Sequence, residues 1–171
     1  MQRVMIVGQP GSGKSWLAVR LGSRLGLPVH HMDHIHWQPG WVERSAADKA
    51  RLCAEVEAQD TWVFEGNFST TAANRAARAD LLVWLDLPVS LRLWRVTWRK
   101  IRGFGQQRPD MAPGCPERLG REAGAFYRYI WATRHSGRTR IAAVVAAAPV
   151  GLEVVRLRHT RDVAAFLARL Q

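Results

Sequence analysis

Short apolar runs punctuate the chain at Val4 to Val7, Val29 to Met32, Trp62 to Phe64, Leu81 to Leu85 and Leu152 to Leu157. Most are β-branched or aromatic, the signature of strands buried on both faces. Between them, apolar positions recur at helical spacing over Ser15 to Leu25, Ala46 to Gln59, Ser90 to Ile101, Arg121 to Ala147 and Arg161 to Leu170. Strand and helix alternate, so the pattern predicts an α/β fold, a parallel sheet covered by helices on both faces. No internal repeat or low-complexity linker breaks this order. A single domain over residues 1–171 is therefore expected, a length that buries roughly two-thirds of the unfolded surface. One stretch is dense in Gly and Pro, Gly103 to Gly120 (GFGQQRPDMAPGCPERLG). Lying between two helical segments, it is expected to form a mobile lid.

The first strand runs into Gly8 to Ser15, GQPGSGKS, which fits GxxxxGK[ST] and opens the first helical pattern. Strand, motif and helix in register mark a phosphate-binding loop. Glycines at Gly8, Gly11 and Gly13, with Ser12 between them, let successive backbone N–H groups turn inward onto phosphate oxygens at a helix N-terminus. Lys14 supplies a point charge to the β- and γ-phosphates, and Ser15 a hydroxyl to Mg²⁺. The pattern predicts an ATP·Mg²⁺ site.

Composition narrows the class further. The net charge is +11, with 22 arginines and only three lysines, and residues 92 to 140 carry twelve basic against three acidic side chains. Arginine suits phosphate and carboxylate recognition better than lysine does. In LRLWRVTWRKIR, Leu91, Trp94, Trp98 and Ile101 form one helical stripe and Arg92, Arg95, Arg99 and Arg102 another. The tryptophans are expected in the core, with the arginines facing the cleft. Two cysteines, Cys53 and Cys115, are too few for a disulfide framework, and no apolar run reaches the roughly 20 residues of a membrane span. A cytoplasmic location without membrane attachment is expected. The histidines at 30, 31, 34 and 36 lack a metal-ligand spacing, because alternation along a strand sends His30 and His31 to opposite faces.

The phosphate loop together with MDHIHWQPGW, WVFEGNF, LLVWLDLP and RPDMAPGCPERL resembles the adenylate-kinase-related P-loop family labelled DNA topology modulation protein, over essentially the whole chain. The resemblance implies a five-stranded parallel sheet of order 2-3-1-4-5 and phosphoryl transfer. It also implies site roles. Asp33, at the end of the second strand, would accept the proton of an attacking hydroxyl or hold a Mg²⁺-bound water, and Glu65, after the third, would organise Mg²⁺, with Asp86 its rival. Asn67 and Arg75 would bind substrate, Arg75 by clamping an acceptor phosphate. Arg44 and Arg51 are weaker candidates for that pocket and are read as solvated. Arg95 and Arg99 would meet ATP. Arg134, with Arg128 beside it in the same role, would approach the transferring phosphoryl from the other side, and Cys115 would pack the lid. The expected activity is a kinase acting on a nucleotide or nucleoside. A shikimate- or gluconate-like hydroxyl acceptor, or a nucleotide-regulated DNA-binding factor, is the alternative, and any DNA binding is expected to be weak and non-specific.

Overall fold

Five parallel strands, β1 (Arg3–Gly8), β2 (Val29–His31), β5 (Trp62–Glu65), β6 (Leu81–Leu85) and β7 (Glu153–Leu157), form one sheet in the order β2-β5-β1-β6-β7. Counted among themselves these are strands 2-3-1-4-5, as expected. The computed structural model describes residues 1–117 and 121–170. The last three residues of the expected lid, Arg118 to Gly120, lie outside the described residues.

Alternation along β1 sorts the core into two layers. Val4 and Ile6 face α1 (Lys14–Leu25) and α8 (Thr160–Ala168), packing with Leu17, Leu21, Val63, Val83 and Phe166. Met5 and Val7 face the other side, with Trp62, Phe64 and Trp84 against Cys53 of α3 (Ala46–Glu57), Ala72 of α4 (Ser69–Arg78) and Ile141 of α7 (Ser136–Ala146). The central strands are apolar on both faces because both faces are covered.

Three features depart from the periodic pattern. The helix expected over Arg121 to Ala147 is two, α6 (Arg121–Ala132) and α7. The Gln9 amide donates to Thr133 O and Arg134 O at 3.0 and 3.1 Å, satisfying carbonyls at the break. A short helix α2 (Met32–His36) and a hairpin of β3 (Trp37–Gln38) and β4 (Val42–Glu43) follow β2. Most consequentially, α5 (Val89–Arg102) presents its tryptophans outward instead of to the core, while Arg95 and Arg99 reach the cleft as expected. Trp94, Trp98 and Ile101 are 60%, 44% and 60% exposed, whereas Arg92 is 2% exposed. Arg92 and Arg95 turn inward because they meet backbone acceptors. Arg92 Nη1 donates to Pro10 O at 3.3 Å and Arg95 Nη1 to Ser12 O at 2.8 Å. The two tryptophans stack on each other outside, with Arg102 over Trp98.

The Gly- and Pro-rich segment folds back over the β3–β4 hairpin. Gly40 N donates to Gly114 O at 2.9 Å, Trp41 Nε1 to Pro116 O at 3.2 Å and Cys115 Sγ to Gln38 O at 3.2 Å. Met111, Ala112 and Cys115 make a small apolar cluster with Trp37 and Trp41. The two runs most particular to the chain, MDHIHWQPGW and RPDMAPGCPE, thus dock on each other.

Candidate active site

A cavity of about 1220 Å³ opens at the carboxyl edge of the sheet, where ligands of open α/β sheets bind. Its floor is the loop between β1 and α1. Gly11 and Gly13 have φ of 79° and 93°, and a Cβ at Gly11 would stand 2.5 Å from Arg92 O, so the turn admits only glycine there. Lys14 and Ser15 begin α1 and line the cavity.

Glu65 ends β5 beside β1, and its carboxylate is almost fully buried. Ser15 Oγ donates to its Oε1 at 3.0 Å, and His31 Nδ1 lies 2.9 Å from the same oxygen. A carboxylate accepts, so Nδ1 carries the proton. Asp33, in the first turn of α2, shares the cavity. Burial pushes its carboxyl above the ordinary value, reinforced by Glu65 and offset in part by Lys14.

The Gly- and Pro-rich segment adds Arg108, Pro109, Asp110, Met111 and Glu117 to the wall. Arg108 is the hub of an ionic cluster. It donates from Nε and Nη2 to Asp110 and from Nη1 to Glu117 Oε1 at 2.9 Å. Glu117, 4% exposed, also meets Lys100 Nζ and Arg99 Nε, each at 3.2 Å. Burial alone would raise the Asp110 carboxyl, yet it lies below its ordinary value through the hydrogen bonds and charge of Arg108.

The structure brings together Gly11, Gly13, Lys14, Ser15, Asp33, Glu65, Asn67, Arg95 and Arg99 around the cavity. Gly8 and Asn67 form a reciprocal pair, Gly8 N to Asn67 Oδ1 at 3.2 Å and Asn67 Nδ2 to Gly8 O at 2.6 Å, which ties β5 to the loop. Ser12 is buried within the loop. Other residues sit elsewhere. Arg75 is fully buried and does not line the cavity: its guanidinium donates to Glu57 at 3.2 Å and Gly66 O at 3.0 Å and lies over the Phe64 ring. Asp86, the rival of Glu65, is held by Arg138 and Arg156 away from the cavity wall. Arg134 lies over Trp131 and is not on the wall either. Arg44 donates to Ile35 O, and Arg51 to Glu55 on the exposed face of α3.

His31, Trp37, Trp41, Asp110 and Glu117 escaped the sequence reading as site residues. Part of their signal was present: Trp37, Trp41, Asp110 and Glu117 lie inside the distinctive runs, His31 immediately precedes one, and Asp110 and Glu117 are two of the three acids in the basic third of the chain.

The fold, a five-stranded parallel sheet with a glycine-rich loop between β1 and α1, is similar to that of solved kinases. Shikimate kinase from Bacteroides thetaiotaomicron superposes over 99% of this chain and 96% of its own, with a TM-score of 0.61 and 20% identity. Shikimate kinase from Acinetobacter baumannii, solved in complex with shikimate, superposes over 99% and 90%, with a TM-score of 0.58 and 18% identity. In sequence, the uncharacterised protein YqaC of Bacillus subtilis (strain 168) is 26% identical over 110 residues. The match spans 62% of this chain and 61% of that relative's length. No protein-family model matches the chain.

Proposed function

We propose that the protein is an ATP-dependent phosphotransferase that moves the γ-phosphoryl group to the hydroxyl of a small molecule. The observation that carries this reading is the convergence, in one cavity, of the Lys14–Ser15 loop end, the Ser15–Glu65 hydrogen bond and Asp33. In this reading the loop amides and Lys14 hold the phosphates of ATP, and Arg95, bonded to Ser12 O, keeps the loop in its phosphate-receiving shape. Arg99 stands at the wall with its charge shared with Glu117.

The donor set at Ser15 fits Mg²⁺: a hydroxyl backed by a carboxylate is a hard-oxygen site of the kind that takes the ion with several waters and the phosphates it arrives with. Among the described residues no three His, Cys, Asp or Glu side chains group to hold a metal by themselves, so Ser15 would ligate directly and Glu65 through water. When bound, Mg²⁺ supplies neutralisation of charge on the β- and γ-oxygens. Asp33, with its raised affinity for a proton, accepts the proton of the attacking hydroxyl. Its place at the end of β2 and the shikimate kinase likeness of the fold favour a hydroxyl acceptor over an acceptor phosphate, and Arg75 is not available to clamp the phosphate of a nucleotide. The resemblance to the family labelled for DNA topology adds no chemical step to this reading.

Calorimetric titration of Mg·ADP, coupled to an ADP-release assay over candidate acceptors, tests the proposal. Lys14→Ala should abolish transfer while circular dichroism and thermal melting stay near the parent's. Near-normal ATP turnover in that variant would falsify the assignment.

A further inference from the structure

Resting on this kinase reading, we propose that Trp16 is the nucleobase platform of the donor site: the purine of ATP stacks on its indole, and this side chain sets the preference for the donor base. Trp16 directly follows Lys14 and Ser15 in the first turn of α1 and lines the same cavity. Its Cα stands about 3.8 Å from that of Ser15, so a bulky aromatic begins within one residue of the phosphate site.

The two ends of a bound triphosphate chain face different sides of α1. Ser15 Oγ turns to Glu65, which shares with Asp33 the end of the cavity assigned to transfer. Consecutive helical residues are about 100° apart, so Trp16 points away from Glu65. The stripe it begins continues through Arg20 to Arg24, and all three line the cavity. Arg24 donates to Leu167 O of α8, which packs on β7, at the opposite edge of the sheet from β2 and Asp33. The cavity therefore extends along α1 past the phosphate loop, on the side where the nucleoside half of the donor must lie if its γ-phosphoryl faces Asp33.

The indole is held in place and left open. Arg20, one turn on, lies 4.4 Å over the ring centroid, a cation–π contact at i, i+4 that fixes the plane of the ring. Trp16 is nevertheless 51% exposed. Single exposed apolar side chains are ordinary on a surface, but this one stands at the wall of the cavity, next to the phosphate loop. A flat π face there accepts a base without reading its edge, and a purine covers more of it than a pyrimidine does. The other aromatic surface on this wall is less open to a base, because Phe126 and Tyr129 of α6 already stack on each other, with centroids 6.3 Å apart.

Calorimetric titration with Mg·ADP, Mg·CDP and Mg·pyrophosphate, which share a diphosphate and differ in the base, tests the assignment. Trp16→Ala should weaken Mg·ADP about tenfold, weaken Mg·CDP less and leave Mg·pyrophosphate within about twofold, whereas Trp16→Phe should restore most of the loss. Thermal melting of both variants should stay near the parent's, since the side chain is half in water. Tyr129→Ala should leave the ratio of Mg·ADP to Mg·pyrophosphate affinity as it is in the parent. If Trp16→Ala binds Mg·ADP as tightly as the parent, or if Tyr129→Ala is the variant that loses the base contribution, the inference is overturned and the kinase reading stands. If the parent chain binds neither Mg·ADP nor Mg·pyrophosphate, the kinase reading falls and the inference with it.

Discussion

Glu65 and Asp33 sit in one cavity yet face different chemical demands, and their surroundings separate them. Glu65 receives Ser15 and His31 on one oxygen, whereas Asp33 is held above its ordinary protonation range chiefly by burial. In the proposed transfer Asp33 must be deprotonated to accept a proton, so kcat should fall as pH drops through its raised value. In Asp33→Asn that acid limb should vanish from the pH–rate profile and kcat should be lower by about 10²-fold or more. Glu65→Gln should act on a different axis, raising the Mg²⁺ concentration needed for half-maximal turnover with a smaller effect at saturating metal. A pair of titrations, one in pH and one in Mg²⁺, checks both. The two carboxylates were legible from the strand ends they occupy. Arg75 was not, because its position after GNF carries no information about Glu57, the distant partner that draws its guanidinium into the protein interior.

The elements were legible where periodicity is long and illegible where a tertiary contact decides. The five strands and helices α1, α3, α5 and α8 follow from alternation and helical spacing, and the observed strand order is the one that the family resemblance implies. The β3–β4 hairpin is two residues a side, too short for a period, and is held by its bonds to the Gly- and Pro-rich segment. In α5 the spacing gave the helix but not its orientation. Two stripes at helical spacing lie side by side, and the inward one is set by Pro10 O and Ser12 O in the phosphate loop. Replacing Trp94 and Trp98 together by serine should change stability by only about 0.5 kcal/mol, whereas a core tryptophan costs about 3–5. Arg92→Ala should cost more than the exposed pair, about 1–3 kcal/mol, because Pro10 O loses its donor in a buried setting. Urea denaturation of the two variants ranks them directly.

For the whole molecule, the +11 charge is less available to outside partners than its size suggests. Five of the twelve basic residues between positions 92 and 140, namely Arg92, Arg95, Arg99, Lys100 and Arg108, turn toward the phosphate loop or Glu117. Duplex DNA should consequently bind weakly at low salt, without sequence preference, and be released near physiological salt, with log K falling against log salt by about 0.9 per phosphate contacted. Fluorescence anisotropy over a salt series measures this, and tight sequence-selective binding at 150 mM salt would contradict it. Among the described residues no helix is long and apolar enough to cross a membrane.

Acid stability belongs to the same scale, because Asp86 joins β6 to β7 and α7 through Arg156 and Arg138. Burial alone would raise its carboxyl, but the two arginines outweigh that and hold it below the ordinary value. A depressed carboxylate stabilises the fold fully above the unfolded-state value of about 3.9, and that contribution is lost as pH falls through the folded-state value. The melting temperature of Asp86→Asn should therefore be lower than the parent's at pH 7, with the gap closing in strong acid.

The shared oxygen of Glu65 carries one more consequence. Ser15 and His31 both approach Oε1, so any redistribution of electron density on that carboxylate must register at the imidazole on its far side. His31 has no part in the proposed transfer, yet it is connected to Ser15 through a single oxygen. Its ring N–H proton, held by Glu65 Oε1, is a built-in spectroscopic witness. Addition of Mg·ADP should move that resonance even in Asp33→Asn, reporting arrival of the nucleotide in a protein whose turnover is slowed about 10²-fold or more.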